Sequence, residues 1–426
     1  MPITSATVGK NLLGLKRTER TSSIASTSLA PLTTVLARNP GGWPEELLPF
    51  FERAITVEYA SLTRAGAPVT FPLTPYVGED GLTLDVSTGL TYPAKAERAR
   101  RNPKVALLYS DPLGSGLAEA PVVLVQGLAA VRDADLQANT DRYVRLALAK
   151  LPDVYEGQPK FLLRTLAWYF ARIWIQVTPT RMLWWPAGRL DEAPQVWAAP
   201  ADTNAPASDP APPGKQPESW KEQPSEWRGA AELALRELPL PDLTFVGDDG
   251  FPVCVPVRAV APEQEGFRLS AARVPDARPE GPACLTFHAH DEGFTTQQNR
   301  VFVGRVSEAE DGSVVFGVER MLGNWSIPDS KLIQTLDFTL GSARRLRPRL
   351  KTEAARRGQP VPKVRFPGEE GGGDPLEGIT LTPRPRLESP VSRVPGGVAA
   401  GTVLAVLVAL LFLLRRRRGA RRRWRY

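Results

Sequence analysis

One stretch of the chain, residues 54–127, constrains the fold more than any other. It contains five short runs that are typical of strands, joined by turns that contain Gly and Pro. A basic segment at residues 92–103 follows the third run and has helical periodicity. Short strands with tight turns favour a small antiparallel barrel. We therefore expect a mainly β domain with flanking helices.

The same order of strand-like runs recurs further along the chain. The pattern Gly-x-Pro-x-x-x-Pro begins at Gly66 and again at Gly250. Three more runs then follow in matching order, at residues 267–271, 283–290 and 299–306. A coincidence of turn residues would give one such match, so we interpret the second region as a duplicate of the first. It has no counterpart of the basic segment.

Length and composition indicate two folded domains separated by linkers rich in Pro and small residues. The predicted segments, in order, are a disordered N-terminal segment (1–42), a first barrel domain (43–186), a Pro/Ala-rich linker (187–229), a degenerate second barrel domain (230–345), a flexible spacer (346–395), a transmembrane helix (396–414) and an Arg-rich tail (415–426).

Residues 396–414 predict a membrane anchor. They form a run of nineteen residues without a charge, which as a helix is about 28 Å long and can cross a hydrocarbon core of about 30 Å. Eight arginines follow it in residues 415–426; the remaining 45 basic and 46 acidic residues leave the rest of the chain at −1. A near-neutral body does not attract nucleic acid. The expected partner is a membrane, because of the uncharged run at residues 396–414.

Two signals conflict on the orientation of this span. The eight arginines behind it favour a cytoplasmic tail, which would place the barrels outside. Residues 1–42, however, lack the continuous apolar run of a secretory signal. We expect cytoplasmic barrel domains on a membrane-anchored chain. The alternative is an interfacial segment with its arginines on anionic head groups.

The basic segment carries the candidate binding site. Ser87 and Thr88 end the third strand, and Lys95 lies at the start of the basic helix. Two hydroxyls, one ammonium and the backbone N–H groups of a helix start can bind one anion together, and a phosphate group suits them. The alternative is that Lys95, Arg98 and the arginines after it form a solvated helix face.

Histidine and cysteine give weaker signals. The two histidines, His288 and His290, share one face of a predicted strand, but two ligands without a third predict no metal site. Cys254 and Cys284 lack metal-binding spacing and are predicted to be small buried side chains. The sequence also shows no Ser-His-Asp set, pair of catalytic carboxylates or P-loop.

Residues 57–131 resemble the FMN-binding split-barrel family typified by pyridoxamine 5′-phosphate oxidase. The matching text is VEYASLTRAGAPVTFPL, LTLDVSTG, AKAERARRNPKVALLYSDP and VVLVQGLAAV. The spacing from Lys95 to a proline just before a strand is its most specific feature. The resemblance implies two tandem split β-barrel domains. It also implies that Lys95, Ser87 and Thr88 hold the FMN phosphate, and that Thr70 and its neighbours line the flavin.

The chain also departs from the family pattern. The strand around Thr70 lacks the arginine with which the family's oxidase meets the phosphate, and Val122 stands where that oxidase has Gln. The Arg-Leu-His-Asp stretch that it uses for its vitamin substrate is missing as well. These departures argue against a pyridoxamine phosphate oxidase. The resemblance implies FMN as the cofactor. Because other members of the family bind F420 or haem or have no demonstrated cofactor, F420 or no cofactor are the alternatives.

The expected function is thus a membrane-anchored, flavin-dependent oxidoreductase. Its small-molecule substrate is open, a quinone or another lipophilic acceptor being compatible with the anchor. The alternative is a non-catalytic barrel pair that binds a small molecule or a protein at the membrane. Because the family's flavin usually lies between two barrels of a homodimer, the duplication predicts a pseudo-dimer within one chain, with a homodimer as the alternative.

Overall fold

A computed structural model of the protein describes residues 39–214, 226–326 and 342–369. The predicted transmembrane helix, the Arg-rich tail and nearly all of the predicted N-terminal segment lie outside these residues. Within the described part of the chain, no helix has the length and apolar character that a membrane span needs.

The described chain is mainly β with flanking helices, and its strands form two curled sheets, as predicted. The strands are β1 (Val57–Leu62), β2 (Pro68–Leu73), β3 (Pro75–Val77), β4 (Leu84–Gly89), β5 (Lys104–Tyr109), β6 (Val122–Arg132), β7 (Arg172–Trp185), β8 (Gln195–Ala198), β9 (Asp242–Val246), β10 (Pro252–Glu263), β11 (Gly266–Ala271), β12 (Gly281–His290), β13 (Gln297–Glu308) and β14 (Val314–Ser326). The α-helices are α1 (Leu48–Arg53), α2 (Ala94–Arg101), α3 (Leu136–Lys150), α4 (Pro152–Tyr155), α5 (Lys160–Leu163), α6 (Ala167–Phe170), α7 (Arg228–Glu237) and α8 (Ala343–Arg356).

The two sheets have the same strand order. The first runs β2-β1-β5-β6-β7-β4-β3, with β8 added to β7. Because a single residue separates β2 from β3, the two ends of this sheet meet. The second sheet is a closed barrel of β10-β9-β12-β13-β14-β11, and its strands correspond one by one to β2, β1, β5, β6, β7 and β4. We call the two sheets, with their packed helices, barrel 1 and barrel 2.

The first hairpin of each barrel is built in the same way. Gly66 has φ +79° and donates its N–H to the carbonyl of Thr63, while Gly250 has φ +77° and donates to the carbonyl of Gly247. This left-handed backbone favours glycine, since a Cβ would be strained there. The repeated pattern in the sequence therefore corresponds to a repeated turn.

Barrel 1 is buried on two sides. Its interior core includes Tyr59 and Leu107, together with residues of α1, α3 and α8. The alternate residues of the same strands, such as Ala60 and Leu108, belong instead to the core of barrel 2. All six residues of β1 are buried for this reason. The outer face of barrel 1 thus packs directly against barrel 2.

Three segments differ from the sequence prediction. Residues 187–229, predicted to be a linker, contain β8, and Asp209 accepts hydrogen bonds from the backbone N–H groups of Asp133 and Ala134. The predicted spacer at 346–395 begins inside α8, which returns to barrel 1. The apolar run at 161–170, whose periodicity predicts one helix, forms α5, a 3-10 turn at Arg164–Leu166 and α6. Single side-chain contacts that leave no periodic pattern hold the part of the predicted linker around Asp209.

Candidate functional site

The basic helix α2 begins just after β4, at the edge of barrel 1. The hydroxyl of Thr88 donates a hydrogen bond of 2.9 Å to the carbonyl of Tyr92, which fixes the turn between the two elements. Gly89, the last residue of β4, lies opposite Arg172 of β7 in the sheet. The start of α2 and the start of β7 therefore meet at the end of β4.

Three half-buried cations lie in this region. The Lys95 ammonium is 4.5 Å from the centroid of the Phe71 ring, a cation–π contact. The Arg98 Nε donates a hydrogen bond of 2.9 Å to the Ser61 hydroxyl. Neither contact supplies a negative charge.

The third cation, Arg172, has phenolic partners among the described residues. It donates a hydrogen bond of 2.8 Å to the Tyr143 hydroxyl and lies over the rings of Tyr143 and Tyr169. Its Nε is buried without a hydrogen-bond partner. Within residues 39–214, 226–326 and 342–369, no carboxylate lies at ion-pair distance from Lys95, Arg98 or Arg172. We call these three residues the cation cluster.

Burial and mutual repulsion act on Lys95 and Arg98, whereas for Arg172 burial alone would lower the pKa but the surrounding tyrosines raise it. Burial, reinforced by Arg98 and Arg172, lowers the pKa of Lys95 to about 7. Burial also lowers the pKa of Arg98. A lysine loses its proton more easily where water cannot solvate the charge and no anion balances it. A bound anion would remove this penalty.

The remaining arginines of α2 behave differently. Arg100 makes a two-pronged ion pair of 2.9 Å with Asp133 on the far side of the helix. Arg101 is exposed. The interpretation of α2 as a solvated basic face therefore applies to Arg101, whereas Lys95 contacts Phe71 of β2 and Arg98 contacts Ser61 of β1.

The other two residues predicted to bind the cofactor lie in different surroundings. Ser87 is 9% exposed in β4, opposite Trp174 of β7. Thr70 is fully buried between the barrels, where its hydroxyl lies 2.7 Å from that of Thr244. The Thr70 carbonyl accepts a hydrogen bond from Thr286. The structure brings Thr88 and Lys95 to the same turn and places Thr70 within the barrel contact.

A second polar group lies between the barrels, and we call it the interface triad. His288 Nε2 of β12 is 2.8 Å from Glu58 Oε1 of β1 and 3.7 Å from Asp242 Oδ2 of β9. Burial alone would lower the pKa of His288, but the two carboxylates outweigh burial and raise it. Burial and the nearby Glu58 raise the pKa of Asp242.

The neighbouring His290 has its own partners. Its Nε2 lies 3.2 Å from Asp111 Oδ2 and 3.2 Å from the Thr56 hydroxyl. Both cysteines are free and buried, as predicted.

The sequence patterns alone do not identify Arg172, Glu58 or Asp242 as site residues. Arg172 is far from Lys95 in the chain, and no local pattern links them. Glu58 did leave a signal, because it is a charged residue within the apolar strand β1. A buried carboxylate in such a strand needs a partner, and here that partner comes from barrel 2.

No family model and no curated protein matches the chain. Solved structures do match. One is an F420 reductase, 24% identical, with a TM-score of 0.25 over 33% of this chain and 98% of that chain. Another is a protein from Clostridium acetobutylicum related to general stress protein 26, of the pyridoxinephosphate oxidase family: 14% identical, with a TM-score of 0.25 over 36% of this chain and 96% of that one.

A third similar structure is a pyridoxamine 5′-phosphate oxidase-related, FMN-binding protein from Nostoc punctiforme. It is 19% identical, with a TM-score of 0.23 over 37% of this chain and 84% of that chain. Each of these matches covers little more than a third of this chain. Proteins of the kind named by the sequence resemblance are therefore among the structures to which the chain is similar.

Proposed function

We propose that the chain binds the phosphate group of an FMN-type cofactor at the cation cluster and is a flavin-dependent oxidoreductase. One observation carries the proposal: Lys95, Arg98 and Arg172 are half-buried around the end of β4, with no carboxylate partner among the described residues. Unpaired buried cations are costly unless an anion binds them. The sequence resemblance supplies the identity of that anion.

The residues present fit a phosphate group. A lysine ammonium and two guanidinium groups can each donate charge-assisted hydrogen bonds to phosphate oxygens. Arg172 can take the place of the arginine that the family's oxidase has on its second strand and this chain lacks. A bound flavin would supply the electron-transfer chemistry, and the protein's part is to hold and orient it.

The cellular setting belongs to the same proposal. Residues 396–414 would anchor the chain in the membrane, with the barrels on the cytoplasmic side and a lipophilic acceptor such as a quinone as substrate. The contact between barrels 1 and 2 supports a pseudo-dimer within one chain, since barrel 1 already has its outer face covered. A homodimer through another face is the alternative.

The position of Thr70 favours a second candidate, a non-catalytic barrel pair that binds a small molecule or protein. Thr70 was expected to line the flavin, yet its side chain is fully buried and bonded to Thr244. A ring could lie against Thr70 only if the two barrels moved apart. A cofactor gripped at the cation cluster would therefore have to extend along another surface.

The test uses the full-length chain purified in detergent, first by its absorbance spectrum and then by titration with FMN. We expect flavin binding in the wild type and about 10- to 100-fold weaker binding in Lys95→Met, because a charge-assisted hydrogen bond contributes about 1.5–3 kcal/mol. F420 is titrated in parallel.

Lys104→Met is the matched control. The Lys104 ammonium also lies over an aromatic ring, 5.0 Å from the Phe251 centroid, but Lys104 is in β5 and is not part of the cation cluster. This variant should bind FMN as the wild type does. A protein that binds neither FMN nor F420 would favour the non-catalytic candidate. Equal FMN affinity in Lys95→Met and Lys104→Met would show that the cation cluster does not hold the phosphate.

A further inference from the structure

The interface triad brings three potential metal ligands together from three strands. Glu58, Asp242 and His288 are each buried, and one ligand atom from each lies within 4.8 Å of the other two. The residues are distant in sequence and come from both barrels. Their convergence therefore depends on the way the barrels pack.

The contact between His288 and Glu58 is close but is not a good hydrogen bond. The two atoms are 2.8 Å apart, yet Glu58 Oε1 is buried and has no hydrogen-bond partner. The other carboxylate oxygen, Oε2, accepts from the Ser110 hydroxyl at 2.9 Å, which fixes the orientation of the carboxylate. An ion bound at this point would replace the contact and take Oε1 and the imidazole nitrogen as ligands.

The distances suit one metal ion. In a tetrahedral site, bonds of about 2.0–2.2 Å to a zinc ion place neighbouring ligand atoms about 3.3–3.6 Å apart. The observed separations from His288 Nε2, 2.8 Å to Glu58 and 3.7 Å to Asp242, lie on either side of that range. One imidazole and two carboxylates are a ligand set that zinc and similar first-row ions accept.

The charge balance also favours a cation. Glu58 and Asp242 are buried together, and the half-buried Asp111 lies nearby; among the described residues, two imidazoles are the cations at ion-pair distance from these three carboxylates. Carboxylates buried together repel each other unless a proton or a metal ion lies between them. A divalent ion would balance the two carboxylates of the interface triad.

A small cleft lies beside one member of the interface triad. Its volume is about 20 Å³, and His288, His290 and Thr56 are among the residues that line it, whereas Glu58 and Asp242 are not. A cavity of this size holds about one water molecule. Zinc sites with three protein ligands commonly keep a water as the fourth ligand, and the cleft has room for one water next to His288.

From these observations we infer that Glu58, Asp242 and His288 form a binding site for a divalent ion of the zinc class that joins barrel 1 to barrel 2. The inference is independent of the flavin proposal, because the site uses none of the residues of the cation cluster. Asp111 and His290 lie outside the ligand set. They form a separate pair beside it.

The test titrates Zn²⁺ into tag-free full-length protein in detergent, after EDTA treatment and dialysis, by calorimetry. We expect one ion per chain and a higher melting temperature with the ion bound, since a ligand that binds only the folded state stabilises it. His288→Gln should weaken binding by about 100-fold or more, because even the loss of a residue behind the ligands costs 10- to 100-fold. Cobalt substitution should give ligand-field bands in the wild type that His288→Gln lacks.

His290→Gln is the matched control, because it removes the other imidazole of the same strand face. It should bind Zn²⁺ nearly as tightly as the wild type. If His288→Gln does not fold, Glu58→Gln replaces it, as it keeps the side-chain shape and removes the charge. The inference is wrong if wild-type binding does not exceed that of the triad variants, which would leave a shared proton in the triad, or if His290→Gln loses as much affinity as His288→Gln.

Discussion

Barrel 1 and barrel 2 share a strand order and a hairpin turn, but they differ after β4 and its counterpart β11. In barrel 1, α2 and its cations follow the strand. In barrel 2, residues 272–280 connect β11 to β12 without a helix. Because barrel 2 closes without such a helix, the framework does not need one. The charges of Lys95 and Arg98, unlike that of Arg100, are therefore better explained by binding than by folding.

Equivalent positions of the two barrels also meet at their contact. In barrel 1, Glu58 lies opposite Pro72 of the next strand, and in barrel 2, Asp242 lies opposite Pro256 in the same register. Two barrels with an acid at this position bring two carboxylates together when they pack. Ser110, just after β5, and His288 of β12 occupy corresponding positions in the two barrels. Ser110 donates a hydrogen bond to Glu58, whereas His288 lies near both carboxylates. The imidazole therefore lies where the contact between the barrels concentrates negative charge.

The variant with the largest expected effect on stability tests whether the two barrels unfold as one unit. Phe267→Ala removes a fully buried ring that contacts Phe287 and Phe302 in barrel 2. We expect a loss of about 3–5 kcal/mol in the free energy of unfolding. Because the barrel 2 core includes residues of barrel 1, a single urea transition should shift as a whole. Circular dichroism and tryptophan fluorescence would follow it.

Trp174→Ala, in the core of barrel 1, is the matched variant. Its ring is fully buried and contacts Tyr76 and Tyr143. It should shift the same transition. Two separate transitions, with Phe267→Ala affecting only one, would show that the barrels unfold independently and that their contact contributes little.

The next largest loss of stability is expected for a variant at the contact between α8 and barrel 1. Asp133 accepts hydrogen bonds from Arg100 of α2 at 2.9 Å and from Arg357, just after α8, at 2.8 Å. Asp133→Asn should destabilise the protein by about 3 kcal/mol, because it removes one partner of a buried ion pair. Urea unfolding measures the loss.

Asp311→Asn is the control for this change. Asp311 is an exposed acid of barrel 2 that pairs with Arg268 at 3.7 Å. We expect a change of at most about 0.5 kcal/mol there. An equal loss in both variants would mean that the contact of α8 with barrel 1 has no special weight.

The contact of α8 illustrates what the sequence could not show. Apolar alternation and Gly/Pro turns predicted most strands, their order and the duplication, because those signals are local. The return of α8 to barrel 1 depends on Asp133 and Arg357, which are distant in the chain. Composition at 346–395 indicated only a spacer.

The candidate site divides in the same way. Lys95 and Thr88 could be predicted, since they flank one turn. Arg172 could not, because it joins them only when β7 pairs with β4. The interface triad required the packing of two sheets in one register, and no pattern within either sheet specifies that packing.

A pH titration sharpens the contrast between the two barrels at α2. The pKa of Lys95 is lowered to about 7, so in the anion-free protein its ammonium loses its proton as pH rises above 7. The FMN phosphate is nearly fully ionised in that range, since its second pKa is about 6. If phosphate needs the protonated lysine, FMN affinity should fall from pH 7 to 9 by up to about tenfold per unit.

Riboflavin is the control ligand for this titration, because it has the same ring without the phosphate. Its affinity should stay nearly constant over the same range. Lys95→Met should likewise remove the slope for FMN. A flat profile for FMN in the wild type would show that Lys95 does not hold the phosphate.

The variant with the smallest expected effect, Thr70→Val, distinguishes between two roles for Thr70. If Thr70 serves only the contact between barrels, Thr70→Val should cost about 1 kcal/mol and leave FMN affinity unchanged, since it removes one buried hydrogen bond to Thr244. Thr70→Val combined with Thr244→Val should then cost less than the two single losses added together, because either single variant already removes the bond between the two hydroxyls, while the Thr244 hydroxyl also has Cys254 Sγ as a partner at 3.1 Å. Urea unfolding and FMN titration of all four proteins complete the cycle. Weaker FMN binding in Thr70→Val with unchanged stability would instead place the flavin between the barrels, and would mean that they separate to admit it.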